Sequence, residues 1–327
     1  MKLITTDEYN HITMQVARPI LDKYQRILLG AGRKIHPKYM EKLNELDIRY
    51  IFVEDAESWD VSLEEVADMP TWIDAVNEVK EVFESADIKG SLDIRRLSST
   101  ISKIEDEIKK RKILIPIPTT ALPSTIRRYA HAVNVTMIAL MIAKKKKLNG
   151  IQTHELAMGC VLHDIGKNFT NIHDDHALFG FDFLRKIREV SVVSAHIAYQ
   201  HHERFDGQGV PRGLKGKEVH EYAQICGIAN LYDNLISVEG TAPHDALEVI
   251  MTTSGTIFSQ ETVQIFVETI PTYYPGTRVE LNNKREGIIT KINSNLHRPI
   301  VRYLDTNEEL SLVNETTLLI SKVVPNS

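Results

Sequence analysis

Only two cysteines, Cys160 and Cys226, occur in 327 residues. They stand far apart in apolar, helix-like runs, which excludes a disulfide framework and a thiolate metal site and marks both as buried free thiols of a reducing compartment. Long hydrophobic runs are missing as well. The most apolar stretch, 136–143, is far too short to span a bilayer, and residues 1–24 hold no apolar core of signal-peptide length. A soluble cytoplasmic protein without a membrane partner is the expectation. Charge of one sign is also scarce: a net charge of -5 gives no general reason to expect DNA, RNA or an anionic membrane. Any phosphate recognition must therefore be local. What remains is length, enough for a full core and two or three domains.

The chain does contain a distinctive set of histidines and carboxylates. His163-Asp164-Ile165-Gly166-Lys167 puts an imidazole beside a carboxylate, then a glycine and a lysine, a composition suited to holding metal next to phosphate. Downstream comes His201-His202-Glu203-Arg204-Phe205-Asp206-Gly207-Gln208-Gly209-Val210-Pro211, and helix-like runs on either side carry His131 and Asp233. Each part alone is weak, because a lone histidine on an apolar helix is usually a core or surface residue. Together they supply the mixed nitrogen and oxygen donors of a dinuclear site. Consecutive helical residues point about 100° apart, so His163 and Asp164 share a site only if they bracket it. Of the two, the carboxylate with its pair of oxygens is the natural bridge between metals.

In this order the motifs resemble those of the HD-GYP family, a branch of the HD metal-dependent phosphohydrolases, over roughly residues 119–270. The resemblance implies a mainly α fold: an HD-type all-helical metal-binding domain, flanked here by a small N-terminal αβ module and a small C-terminal β-barrel-like module. It implies two metal subsites, one of His131, His163, Asp164 and Asp233, the other of Asp164, His176, His201 and His202. His176 is chosen because His176-Ala177-Leu178-Phe179-Gly180 matches the family's His-x-x-x-Gly; His173 is its competitor. Two divalent ions, iron or manganese, with a bridging hydroxide between them would make the protein a metal-dependent phosphodiesterase. Asp164 and Lys167 would be catalytic, with Lys167 also binding the substrate phosphate. The implied substrate is a cyclic dinucleotide, cyclic di-GMP by default, or another phosphodiester. The alternative is a catalytically weak, metal-bound domain that serves as a cyclic-dinucleotide sensor or signalling interaction module.

Departures from the family cluster on the substrate side. Arg127 stands where many members carry a glutamate for a third metal, which favours two metals; Arg127 either lends charge to a phosphate or forms a surface salt bridge. Gly-Tyr-Pro is replaced by Gly209-Val210-Pro211, the 168–175 loop is short, and 237–243 lacks the arginines that follow the last aspartate elsewhere.

The chain divides into an αβ module (1–60), a helical connector (61–118), the HD-GYP-like domain (119–273) and a β module (274–327). Strand-like runs at 12–20 and 26–35, a helix at 38–46 and a strand at 48–53 make the first, read as a packing unit; this module or the connector helices would carry any homo-oligomer contact. Apolar spacing at Val79, Val82, Phe83, Leu97, Ile101, Ile104 and Ile108 predicts amphipathic connector helices. Helices are expected over 124–148 with Ser124 as N-cap, over 155–163 ended by Gly166, and over 191–200, 222–237, 245–252 and 259–270. Five short strands should follow, at 278–281, 287–292, 299–303, 309–312 and 318–323.

Overall fold

The computed structural model describes residues 1–22, 24, 26–64, 66–86, 91–170 and 175–324. They form two compact units, one of 1–64, 118–127 and 271–327, the other of 65–117 and 128–270.

The first unit begins with strands β1 (Lys2–Thr5), β2 (Gln15–Val16), β3 (Ile20–Leu21) and β4 (Ile27–Leu29), then helix α1 (Pro37–Glu45) and strand β5 (Tyr50–Glu54). β5 runs between β1 and β2, antiparallel to both, and alternation puts Ile4, Val16, Ile51 and Val53 into one core with Leu43 of α1. His36 caps α1 by accepting from the Lys38 amide, and Pro37 occupies the first turn, where its missing N–H costs nothing. β1 escaped the sequence reading, since a lysine, Lys2, occupies one of its two inward positions and hides the alternation.

The C-terminal part of this unit is an antiparallel sheet of β6 (Arg278–Leu281), β7 (Glu286–Lys291), β8 (Ile300–Tyr303), β9 (Glu309–Ser311) and β10 (Ile320–Val323), in the order β10-β6-β7-β8-β9. The strands lie close to where alternation put them, but the expected barrel-like closure is corrected. Among the described residues β9 and β10 are unpaired edges of an open sheet. Closure requires the two edges to hydrogen-bond; strands of three to six residues cover Val279, Leu281, Ile289, Val301 and Tyr303 without it. Arg302 pairs with Asp60 and donates to the Glu57 carbonyl, so the first and last stretches of chain pack into the same unit.

The second unit is helical: α2 (Met69–Glu84), α3 (Ile94–Lys110), α4 (Arg127–Lys146, all but its first residue), α5 (Gly150–Leu162), α6 (His176–Leu184), α7 (Val192–Gln200), α8 (Glu221–Ser237), α9 (Pro243–Thr252) and α10 (Gln260–Val267). Asp68, Asp93, Asn149, Ser191 and Ser259 accept backbone N–H groups at the starts of α2, α3, α5, α7 and α10. Ser124 is not the cap of α4; it opens a 3-10 turn that leads into the helix at Arg127. Apart from Asn134 and Thr136, α4 is apolar from Ala132 to Ala143 and is buried on every side, as such a helix must be.

α5 and α7 lie together because Gly159 faces Ile197, where a Cβ would come within 2.4 Å of Ile197 Cδ1. Ser194 Oγ donates to the Glu155 carbonyl, and the rings of His163 and His201 are 5.0 Å apart. These contacts advance in step along both helices, which therefore run parallel and deliver their C-terminal ends, with His163 and His201, to one place.

Candidate metal centre

Four histidines of the centre sit where a helix supplies or ends its backbone, and His202 follows in the turn after α7. His131 lies in the second turn of α4, His163 and His201 are the C-caps of α5 and α7, and His176 opens α6. After His163 the chain leaves the helix: Asp164 has φ -100 and ψ 9, and a 3-10 turn, Ile165–Asn168, follows. That break lets His163 and Asp164 bracket one site. Gly166 does not terminate α5, which ends at Leu162. It lies in the 3-10 turn, where a Cβ would fall 1.9 Å from the His176 carbonyl oxygen and 2.7 Å from the Gly180 nitrogen.

Two tautomers are set by helix ends. A carbonyl only accepts, so the contacts of His163 Nδ1 with the Cys160 oxygen (2.7 Å) and of His201 Nδ1 with the Ala198 oxygen (2.8 Å) put the proton on Nδ1 in both rings. Each Nε2 is left with its lone pair facing inward, the arrangement by which carbonyls orient metal-binding histidines. His163 Nε2 is buried with no hydrogen-bond partner, a costly state for a polar atom unless a cation takes the lone pair. His176 Nε2 lies 3.2 Å from the Nε2 atoms of both His201 and His202.

All seven residues expected as ligands come together. His176, His201 and His202 form one group able to hold a metal ion; His131, His163 and Asp164 form another. Asp164 divides its oxygens between them. Oδ1 is 3.2 Å from His176 Nε2 and 3.8 Å from His201 Nε2; Oδ2 is 3.5 Å from His163 Nε2 and 2.5 Å from Lys167 Nζ. Asp233 Oδ2 is 2.6 Å from His131 Nδ1. The competitor His173 lies outside the described residues. Arg127 belongs to the other unit, where it ion-pairs with Asp47 and donates to the Leu122 carbonyl.

Sequence reading missed the residues that hold these ligands. Asn230 Oδ1 contacts His131 Nε2 at 2.9 Å, and Asn134 donates to Asp233 Oδ1 at 2.7 Å while accepting from the Trp72 indole. The available signal was Asn134 itself, an amide set between valines in an apolar helix. Glu203 was also left without a role. It is 3% exposed and accepts the backbone N–H groups of Arg212 and Leu214, clamping the loop after His202. In that loop Gly209 passes so close to the chain that a Cβ would lie 2.2 Å from the Arg204 nitrogen. Glu203→Ala is expected to cost about 2 kcal/mol by orphaning two amides, and hydrogen exchange at Arg212 and Leu214 should accelerate; unchanged exchange would contradict the clamp.

Burial dominates the electrostatics. It pushes His163 down to about 3, against the pull of Asp164, and holds His201 well below the ordinary range with the help of the neighbouring His202 and His163. Burial alone would lift the Asp164 carboxyl, but His163, His176, Lys167 and His201 outweigh it and keep the group well below its usual value. For His131 burial pulls downward, yet the hydrogen bond and charge of Asp233 raise it overall. A stability profile follows for the metal-free protein. Between about pH 4 and 6 the unfolded chain protonates His163 and His201 while the folded chain does not, so stability falls as pH falls, by up to about 2.7 kcal/mol per unit for two groups. His131, with its folded value raised, is protonated in both states there and adds no slope; its contribution is lost only as pH rises through that raised value. The melting temperature is expected to drop steeply from pH 6.5 to 5, with His163→Gln removing about half the slope. A flat profile would contradict the buried neutral pair.

Comparison with known proteins places this geometry. Residues 128–235, which include all seven candidate ligands, match the family model of the HD domain. A cyclic di-GMP phosphodiesterase of Thermotoga maritima is 29% identical over 161 residues, 43% of this chain and 44% of the relative. One of Pseudomonas aeruginosa is 22% identical over 231 residues, 64% of this chain and 56% of the relative. The chain thus spans about half the length of these curated relatives. Among solved structures, an HDG"Y"P protein from Bdellovibrio bacteriovorus has a similar fold, with TM-score 0.51, 16% identity, and coverage of 81% of this chain and 98% of that one. Among the described residues no helix is long and apolar enough to cross a membrane.

Proposed function

Since residues 128–235 match the family model of the HD domain, we propose that the chain is a dinuclear metal-dependent phosphodiesterase acting on a cyclic dinucleotide, with cyclic di-GMP as the default substrate. The observation that carries this reading is the lone pair of His163 Nε2, buried without a partner beside Asp164 and His131. Such a donor set fits a divalent cation without selecting one, since imidazole suits iron, zinc and nickel while carboxylate also suits manganese; the family resemblance favours iron or manganese. His131, His163, Asp164 and Asp233 would hold one ion, and Asp164, His176, His201 and His202 the other. When bound, the pair would neutralise phosphate oxygens and lower the pKa of an attacking water.

The protein's own groups do the rest. The carbonyls of Cys160 and Ala198 keep His163 and His201 in the tautomer that offers Nε2. Asp164 turns one oxygen to each histidine group, which supports a bridging role. Lys167 holds its ammonium against Asp164 with its side chain 40% exposed, so it remains available to a phosphate oxygen at the edge of the site. Arg127 has its charge engaged by Asp47, which favours the salt-bridge role over phosphate binding.

Incubating anaerobically purified, metal-loaded protein with cyclic di-GMP, a hybrid cyclic dinucleotide and a generic phosphodiester tests the proposal. Linear dinucleotide is the expected product. Tight nucleotide binding with no product at full metal loading would overturn the enzyme reading in favour of a sensor.

A further inference from the structure

We infer that Trp72, on connector helix α2, is a positioning residue for the metal centre, orienting Asp233 through the amide of Asn134. The inference rests on the reading of His131 and Asp233 as metal ligands. Trp72, Asn134 and Asp233 are 1%, 0% and 1% exposed, so water does not arbitrate their hydrogen bonds. An indole N–H only donates. Asn134 must therefore turn its oxygen to Trp72, at 2.8 Å, and its two N–H bonds to the Ile117 carbonyl, at 2.8 Å, and to Asp233 Oδ1, at 2.7 Å. With the amide reversed, an NH2 would face the indole N–H and an oxygen would face the carboxylate. Trp72 is thus what makes Asn134 a donor toward Asp233.

The consequence falls on the ligand. Asp233 Oδ1 also accepts from Ser237 Oγ at 3.2 Å, so this oxygen is occupied twice. Oδ2, beside His131 Nδ1, is the oxygen left for a cation. Asp233 is fixed as a one-oxygen ligand by a buried chain of hydrogen bonds that begins outside residues 128–235. A buried polar chain that loses one member is left with an unpaired group, and the loss here is transmitted to one side of the centre only.

Trp72→Phe keeps the ring and removes the N–H. In calorimetric titrations of metal-free protein with manganese(II), wild type is expected to bind two ions, and the variant to bind one of them roughly ten- to a hundredfold more weakly with the other unchanged. Equal affinities in both proteins, or both sites weakened alike, would overturn the positioning role and leave the dinuclear reading standing. Wild type that binds no ion would overturn that reading and the inference with it. A second measurement does not depend on the variant folding. In Trp59→Phe protein the emission of Trp72 should change at the midpoint of one binding event and not the other; emission unmoved by either would contradict the inference.

Discussion

Asp164→Ala is expected to abolish hydrolysis, lowering kcat/KM by about three orders of magnitude, the upper end of what one stabilising group supplies, and to remove the protein's stabilisation by divalent cations. The two readouts have one cause. Among the described residues, Asp164 is the carboxylate that reaches both histidine groups, 3.2 Å from His176 and 3.5 Å from His163. Without it the five imidazoles and Asp233 remain, and Asp233 lies on the His131 side alone, so the anion shared by the two groups is lost. A cation at a hundred times its Kd stabilises the folded state by about 2.7 kcal/mol, a rise of roughly 5–10 °C in Tm, and this rise should vanish in the variant. The metal-free variant should stay folded, because removing a buried carboxylate removes its desolvation cost along with its attraction to His163, His176 and Lys167. A variant that keeps both turnover and cation-dependent melting would remove Asp164 from the centre.

Gly166→Ala is expected to be the most damaging single methyl group in the helical unit. The added Cβ would meet the backbone of α6 at the His176 oxygen and the Gly180 nitrogen, at 1.9 and 2.7 Å. Backbone cannot rotate away as a side chain can, so the 3-10 turn and α6 must separate. Overpacking of this kind costs about 3 kcal/mol or more, roughly 6–12 °C in Tm. Because α6 starts at His176, the shift also pulls that imidazole from His201 and His202. Cation binding should weaken at the group containing His176 beyond what the loss of stability explains. A variant with wild-type melting and metal affinity would show that the close approach is not needed.

The contrast between these two residues explains how much could be read from sequence. Asp164 was legible because its chemistry is local: a carboxylate next to His163, at a helix end, has few other uses that also recruit His131, His201 and Asp233. Gly166 was legible only as a helix terminator, since its real constraint is a helix ten residues further along the chain, and no spacing rule records that. Helix α8 fell within a residue of its expected span, and the connector positions Leu97, Ile101, Ile104 and Ile108 form a buried face of α3. The sheet strands also lay close to their expected spans, because alternation is local, whereas the pairing of edge strands is not, and the expected barrel-like module is an open sheet. Trp72 and Asn134 follow the same rule. Trp72 drew no reading from the sequence, and its N–H acquires meaning only when α2 lies against α4. Arg127 likewise had two readings until Asp47, eighty residues earlier, was seen to hold it.

The most direct test of the central claim is anomalous diffraction from crystals of the protein grown with manganese or iron. The account predicts two peaks, one among His131, His163, Asp164 and Asp233 and one among Asp164, His176, His201 and His202. Well-ordered crystals at saturating metal with no peak there, or with a single peak elsewhere, would contradict it.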